Sequence, residues 1–254
     1  MSPPIMYLSE KRKMITRRIF VSALAVGAAA LALAGCQIDT RTPMRVSEIM
    51  SVAQSGAPVP VSTTITGTFV TPQWCRDEGT MSVETISTPD VPLQLVGCTP
   101  AGNGATGQFQ MNTNLIRTDG GQSDAVILTN VLEGDTARFA VFPHGKHKSL
   151  LSVGLFLNLP QLQAAQQKLL AMPVFKRGGY DGMTNFSFTI DILNDTDKPA
   201  QFYLADVSAG GDLPSDEAIM TIPPGGQDTV TLDAQTQAKL STTGWVNFMS
   251  MITK

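Results

Sequence analysis

The chain is poor in the side chains that most chemistry uses. Of its 254 residues only 15% are charged, and there are two histidines, three cysteines and two tryptophans. Each scarcity excludes something. A formal net charge of −3 leaves no basic excess to neutralise phosphates, which argues against nucleic acid as a partner. A Ser-His-Asp triad or a histidine metal site has only His144 and His147 to draw on. There is no Cys-x-x-Cys pair, no Gly-x-Ser-x-Gly elbow and, after residue 35, no Ser-x-x-Lys. Internal repeats, long linkers and low-complexity tracts are missing as well. What the chain does have is 43% apolar residues, ordinary for a globular body and too many for a disordered one. Its length suffices for one large domain or two small ones.

The N-terminus is the informative end. Lys11, Arg12, Lys13, Arg17 and Arg18 form a basic cluster, followed by an apolar run of 17 residues, Ile19–Gly35, broken only by Ser22. That run is at the lower edge of a spanning helix, at about 1.5 Å per residue against a ~30 Å hydrocarbon core. A basic segment, a short apolar stretch and a small-residue end together read as an export signal occupying residues 1–35. Met14 is a second candidate start within it, and Thr16-Arg17-Arg18-Ile19-Phe20-Val21 is similar to the twin-arginine consensus. The end of the run, Leu33-Ala34-Gly35-Cys36, resembles the lipobox of bacterial lipoproteins. The resemblance implies a diacylglyceryl thioether and an N-acyl group such as palmitate on Cys36, which becomes the first residue of the mature chain. The alternative is an uncleaved membrane anchor with a fortuitous Leu-Ala-Gly-Cys. Gln37, where Asp resembles the inner-membrane retention signal of enteric bacteria, favours the outer membrane, facing the periplasm. Two or three acyl chains anchor stably without a spanning helix, at about 0.8 kcal/mol per buried CH₂.

Loss of residues 1–35 removes five basic residues and one acidic residue. The remainder carries 13 basic and 20 acidic residues, a net of −7, so the secreted body is distinctly acidic. With Cys36 lipidated, Cys75 and Cys98 remain, 23 positions apart. In an oxidising compartment their simplest use is one disulfide, the alternative being two ligands of a metal site.

Along the mature chain, residues 36–58 read as a tether and a short helix with Ser47 as N-cap, Gln37–Arg45 being either a short tether or a first strand. From Val59 the pattern turns to period two, with Val59, Val61, Thr63, Ile65, Gly67 and Phe69 on one face. Further strands are expected at 81–86, 91–96, 108–116, 125–129, 137–142 and 151–158. One helix is expected at 161–172, between Pro160 and Pro173. The spacing thus predicts an antiparallel β-rich domain over 59–180. Residues 181–254 read as a small immunoglobulin-like β-sandwich. Phe186, Phe188, Ile190 and Ile192 form one apolar strand face, and Asn194–Pro199 and Pro223–Gly226 are turns. Asp233 caps a helix, and Trp245–Ile252 makes a closing strand. The fold class is mainly β, with a minor helical part.

No constellation points to catalysis. Gly102-Asn103-Gly104-Ala105-Thr106-Gly107 matches G-x-G-x-x-G, but strand-like alternation follows where a dinucleotide site needs a helix. A surface loop without nucleotide is the expected reading. His144 and His147 flank Gly145 in a basic turn without neighbouring acids, so no metal site is expected. Asp195, Asp197, Asp212, Asp216 and Glu217 sit in turns, where solvation accounts for them. The nine methionines after residue 35 are scattered, as core packing requires. Trp74 and Trp245 are expected as core anchors.

Cys36–Thr42 and Val46–Ile49 resemble the start of a group of uncharacterised bacterial and prophage-associated lipoproteins. Asn194–Thr196 and Ile222–Gly226 match that group's late turns. The resemblance covers short stretches, carries no catalytic residues and implies no cofactor beyond the lipid. The expectation is therefore a lipid-anchored envelope lipoprotein with a non-enzymatic role, whose partners are the membrane and another envelope protein. Alternatives are an envelope hydrolase acting on cell-wall or surface polymers and a phage-derived surface or exclusion lipoprotein.

Overall fold

Period-two alternation gives the segments Val59–Phe69 and Gly104–Arg117 one buried apolar face each, while Leu150–Leu157 and Trp245–Ile252 are buried on both, and the strands join in a single sheet curled around a shared interior. The computed structural model describes residues 37–87, 92–119, 132, 137–143, 149–171, 185–204 and 219–253. Among them are the strands β1 (Gln37–Arg45), β2 (Val59–Phe69), β3 (Leu93–Ala101), β4 (Gly104–Arg117), β5 (Ala137–Pro143) and β6 (Leu150–Leu157). They are followed by β7 (Asn185–Leu193), β8 (Ala200–Tyr203), β9 (Ile219–Ile222), β10 (Gln227–Thr231) and β11 (Trp245–Ile252). Four helices accompany them: α1 (Val46–Ser55), α2 (Pro72–Ile86), α3 (Leu159–Ala171) and α4 (Ala234–Thr243). The mainly β class expected from sequence is what is observed. None of these helices is long and apolar enough to cross a membrane.

All eleven strands join one sheet in the order β10-β7-β1-β2-β4-β5-β6-β11-β8-β9, with β3 beside β4. Residues 36–58, 59–180 and 181–254 all contribute to it. Of the two readings of Gln37–Arg45, tether or first strand, the strand is observed: it is β1, parallel to β7 from Gln37↔Asn185 to Arg45↔Leu193 and antiparallel to β2. Inward-facing Val61, Ile65 and Phe69 of β2 meet Ala105, Phe109, Met111 and Leu115 of β4. Thr42, Thr63 and Thr113 are buried in the same rows, and two of them, Thr42 and Thr63, share a hydrogen bond of 2.9 Å.

The sheet nearly closes on itself at Asn194. Its ends, β9 and β10, are joined by the Pro223–Gly226 turn, while β7 pairs β1 and β10, and β8 pairs β11 and β9. Asn194–Pro199 is thus a corner that crosses between the sheet's two flanks rather than a hairpin turn. Buried Asn194 bolts it. Its Nδ2 donates to the carbonyls of Lys198 (2.8 Å) and Ile222 (2.9 Å), and its backbone exchanges bonds with Gly225 and Gly226.

Several local expectations need correction. Residues 81–86 are not a strand but the second half of α2. Ser47 is not an N-cap: α1 starts at Val46, and Ser47 donates through N (3.0 Å) and Oγ (2.6 Å) to Asp195 across the fold. The strand expected at 125–129 lies outside the described residues. Asp233 does cap α4, accepting from Thr236 N at 2.7 Å, and β11 spans Trp245–Ile252 as expected.

Candidate functional site

Cys36 and its lipobox neighbours Leu33, Ala34 and Gly35 lie outside the described residues, as do His144, His147, Asp212, Asp216 and Glu217. The residue after Cys36, Gln37, is the first of β1. Cys75 and Cys98 are brought together as a disulfide with Cα atoms 5.9 Å apart. Among the described residues no group of three His, Cys, Asp or Glu is placed to hold a metal ion.

The disulfide organises a corner built from the end of β2, α2 and the β3–β4 hairpin. Thr71 caps α2, its hydroxyl accepting from Trp74 N at 3.1 Å, and Pro72 occupies the first turn, where a missing N–H costs nothing. The helix then crosses the inward face of β4. A Cβ on Gly107 would stand 2.5 Å from the Phe69 ring and 2.9 Å from Cys75 Sγ, so only glycine lets the disulfide settle there. A Cβ on Gly104 would meet the Phe69 carbonyl oxygen at 2.4 Å. The G-x-G-x-x-G stretch is therefore not a loop throughout. Gly102 and Asn103 turn the hairpin, and Gly104–Gly107 is strand, with glycines that permit close approach.

One buried group in this corner was not legible from sequence. Glu78 of α2 is 1% exposed, and neither carboxylate oxygen has a hydrogen-bond partner. Next to it, Gly79 is packed so that a Cβ would meet Leu95 and Phe109 at 3.1–3.3 Å. Burial, reinforced by the charge of Asp77, pushes the Glu78 carboxyl up to about 7. That value is in the range of a general acid, but the group is sealed from solvent, and among the described residues no second carboxylate faces it: Asp77 is exposed and held by Gln73 at 2.8–2.9 Å.

Three large apolar side chains are exposed on the outside of the corner, among the polar Gln73, Arg76 and Asp77. Val70 is 54% exposed, Trp74 39% and Val96 56%. Trp74 is thus not the core anchor expected, because the α2 positions that turn inward are Cys75, Glu78, Gly79 and Ser82. Trp245 is one: it is buried, stacked on Phe156 at 5.8 Å, with Lys239 Nζ 5.5 Å from its ring centroid.

A groove of about 300 Å³ opens at the opposite end of the sheet, lined by Pro43, Arg45, Glu48, Pro60, Asp191 and Gln227. Its charges answer one another. Arg41 makes a two-pronged ion pair with Asp191, which also accepts from Thr229 Oγ1 at 2.9 Å, tying β1, β7 and β10 together. Hydrogen bonding from Arg41 holds the Asp191 carboxyl below the usual carboxylate range, against the opposite pull of burial. This arrangement is a clamp on the sheet. Compared with known protein families, curated proteins and solved structures, the chain finds no match.

Proposed function

We propose that the protein is a bacterial cell-envelope lipoprotein, anchored by acyl chains on Cys36 and serving a non-enzymatic binding or structural role in the outer membrane. The observation that carries this reading is Leu33-Ala34-Gly35-Cys36 at the end of a basic and then apolar segment. The disulfide supports it, since such bonds persist in oxidising compartments. The acidic balance of the residues after the signal suits a body that avoids non-specific adhesion to an anionic envelope. A hydrolase of envelope polymers draws no support from Glu78, whose carboxyl no substrate reaches. Replacing Cys36 by Ala tests the anchor directly. The variant should lose palmitate labelling and move from the membrane to the soluble fraction. Unchanged labelling and fractionation would refute the reading.

A further inference from the structure

The acyl anchor and the exposed apolar corner belong to the same end of the sheet. In the β1–β2 pairing Ile38 faces Gly67, so Gln37 comes level with Thr68, and Val70 stands two residues further along the neighbouring strand. At about 3.3 Å per residue and roughly 5 Å between strands, Val70 is within about 10 Å of the Gln37 backbone. Trp74 follows in the first turn of α2, held by the Thr71 cap. The Gly102–Asn103 turn is also at this end, since Ala105 pairs with Phe69.

We infer that this end of the molecule is a membrane-seating face, with Val70 and Trp74 inserted among lipid headgroups beside the acylated Cys36. The inference rests on the anchoring reading and adds an orientation to it. The occupant is lipid because of the chain's own geometry. No linker separates Cys36 from the sheet: the next residue, Gln37, is already strand, and β1 is paired on both sides. A thioether at headgroup depth therefore draws its immediate neighbours to the bilayer surface. Tryptophan suits that depth, with an apolar ring and one N–H donor. The nearby charges are mixed, Asp39, Arg76 and Asp77, so the seating is apolar rather than electrostatic.

The test uses the lipidated protein in phosphatidylethanolamine–phosphatidylglycerol vesicles, with and without brominated acyl chains. W74F, measured in parallel, gives the contribution of buried Trp245. Seating predicts that Trp74 emission shifts to the blue and is quenched by brominated lipid. It also predicts that acrylamide quenches Trp74 several-fold less than in soluble C36A, and that high salt changes none of this. Protein that floats with the vesicles while Trp74 stays open to acrylamide and untouched by brominated lipid overturns the face and leaves the anchor standing. Protein that does not float overturns both. A V70S variant, whose backbone is undisturbed, keeps the test independent of tryptophan: it should raise acrylamide access to Trp74 in vesicles, and unchanged access counts against seating.

Discussion

Glu78 makes a pH dependence that a single substitution isolates. In the unfolded chain its carboxyl titrates near 4.5, and in the folded protein burial lifts it to about 7. Below the lower value both states hold the proton and the site is neutral in its effect. As pH rises from there to about 7, the unfolded state gives up its proton while the folded state retains it, so stability falls. Above that the penalty is constant, and the gap between the two values corresponds to about 3 kcal/mol. Among the described residues few neighbours compete for control of this carboxyl. β2 and β3 carry no ionisable side chain, β4 only Arg117 at its far end, and α3 only Lys168. On α2 itself Asp77 raises the value further. E78Q keeps the shape and removes the titration, and the cost of its unpartnered amide is the same at every pH. Urea unfolding of both proteins between about pH 4 and pH 8 should show the wild type losing about 3 kcal/mol more than E78Q across the range, all other groups cancelling. Parallel stability curves would refute the buried, unpartnered carboxylate.

Two further perturbations test what holds the sheet shut. N194A strips donors from the Lys198 and Ile222 carbonyls, and with about 1–3 kcal/mol for each buried group left unsatisfied it should cost about 3 kcal/mol, read as a lower denaturant midpoint. Reducing Cys75–Cys98 frees a 23-residue separation in the unfolded chain. The expected loss is about 3 kcal/mol, a fall in Tm on the order of 10 °C between scans with and without reductant.

What was legible in the sequence was local alternation. β2 and β7 stand out because Val61, Ile65 and Phe69, or Phe188, Ile190 and Ile192, recur at period two and are buried, whereas β11 reads as a strand from a continuous run that is buried from Trp245 to Met251. α2 was hidden for the complementary reason. Its inward face is Cys75, Glu78, Gly79 and Ser82, correct in spacing for a helix but not apolar, so Met81 and Val83 read as strand. The signal that would have found it is Thr71-Pro72, a cap residue followed by proline. Burial of Glu78 carries no local mark, since isolated carboxylates rarely enter a core. Nor does the pairing of β1 with β7, about 148 residues apart in Arg41↔Thr189, because alternation states which face is buried and not which strand lies alongside.

That pairing changes what an acyl anchor at Cys36 would do. A lipoprotein whose first residues are a loose tether explores a volume set by linker length, and its orientation is free. Here the strand that begins one residue later is an interior one, bonded to β2 on one side and along its whole length to β7 on the other. Arg41 on β1 is clamped to Asp191 on β7, and Thr42 is bonded to Thr63 on β2. A pull or tilt at a membrane would then pass directly into the sheet through both neighbours of β1. Freeing the anchor from the body would require breaking both ladders of β1. With an acyl chain on Cys36, anchor position and body orientation would therefore be one variable, which is what the proposed seating of Val70 and Trp74 relies on.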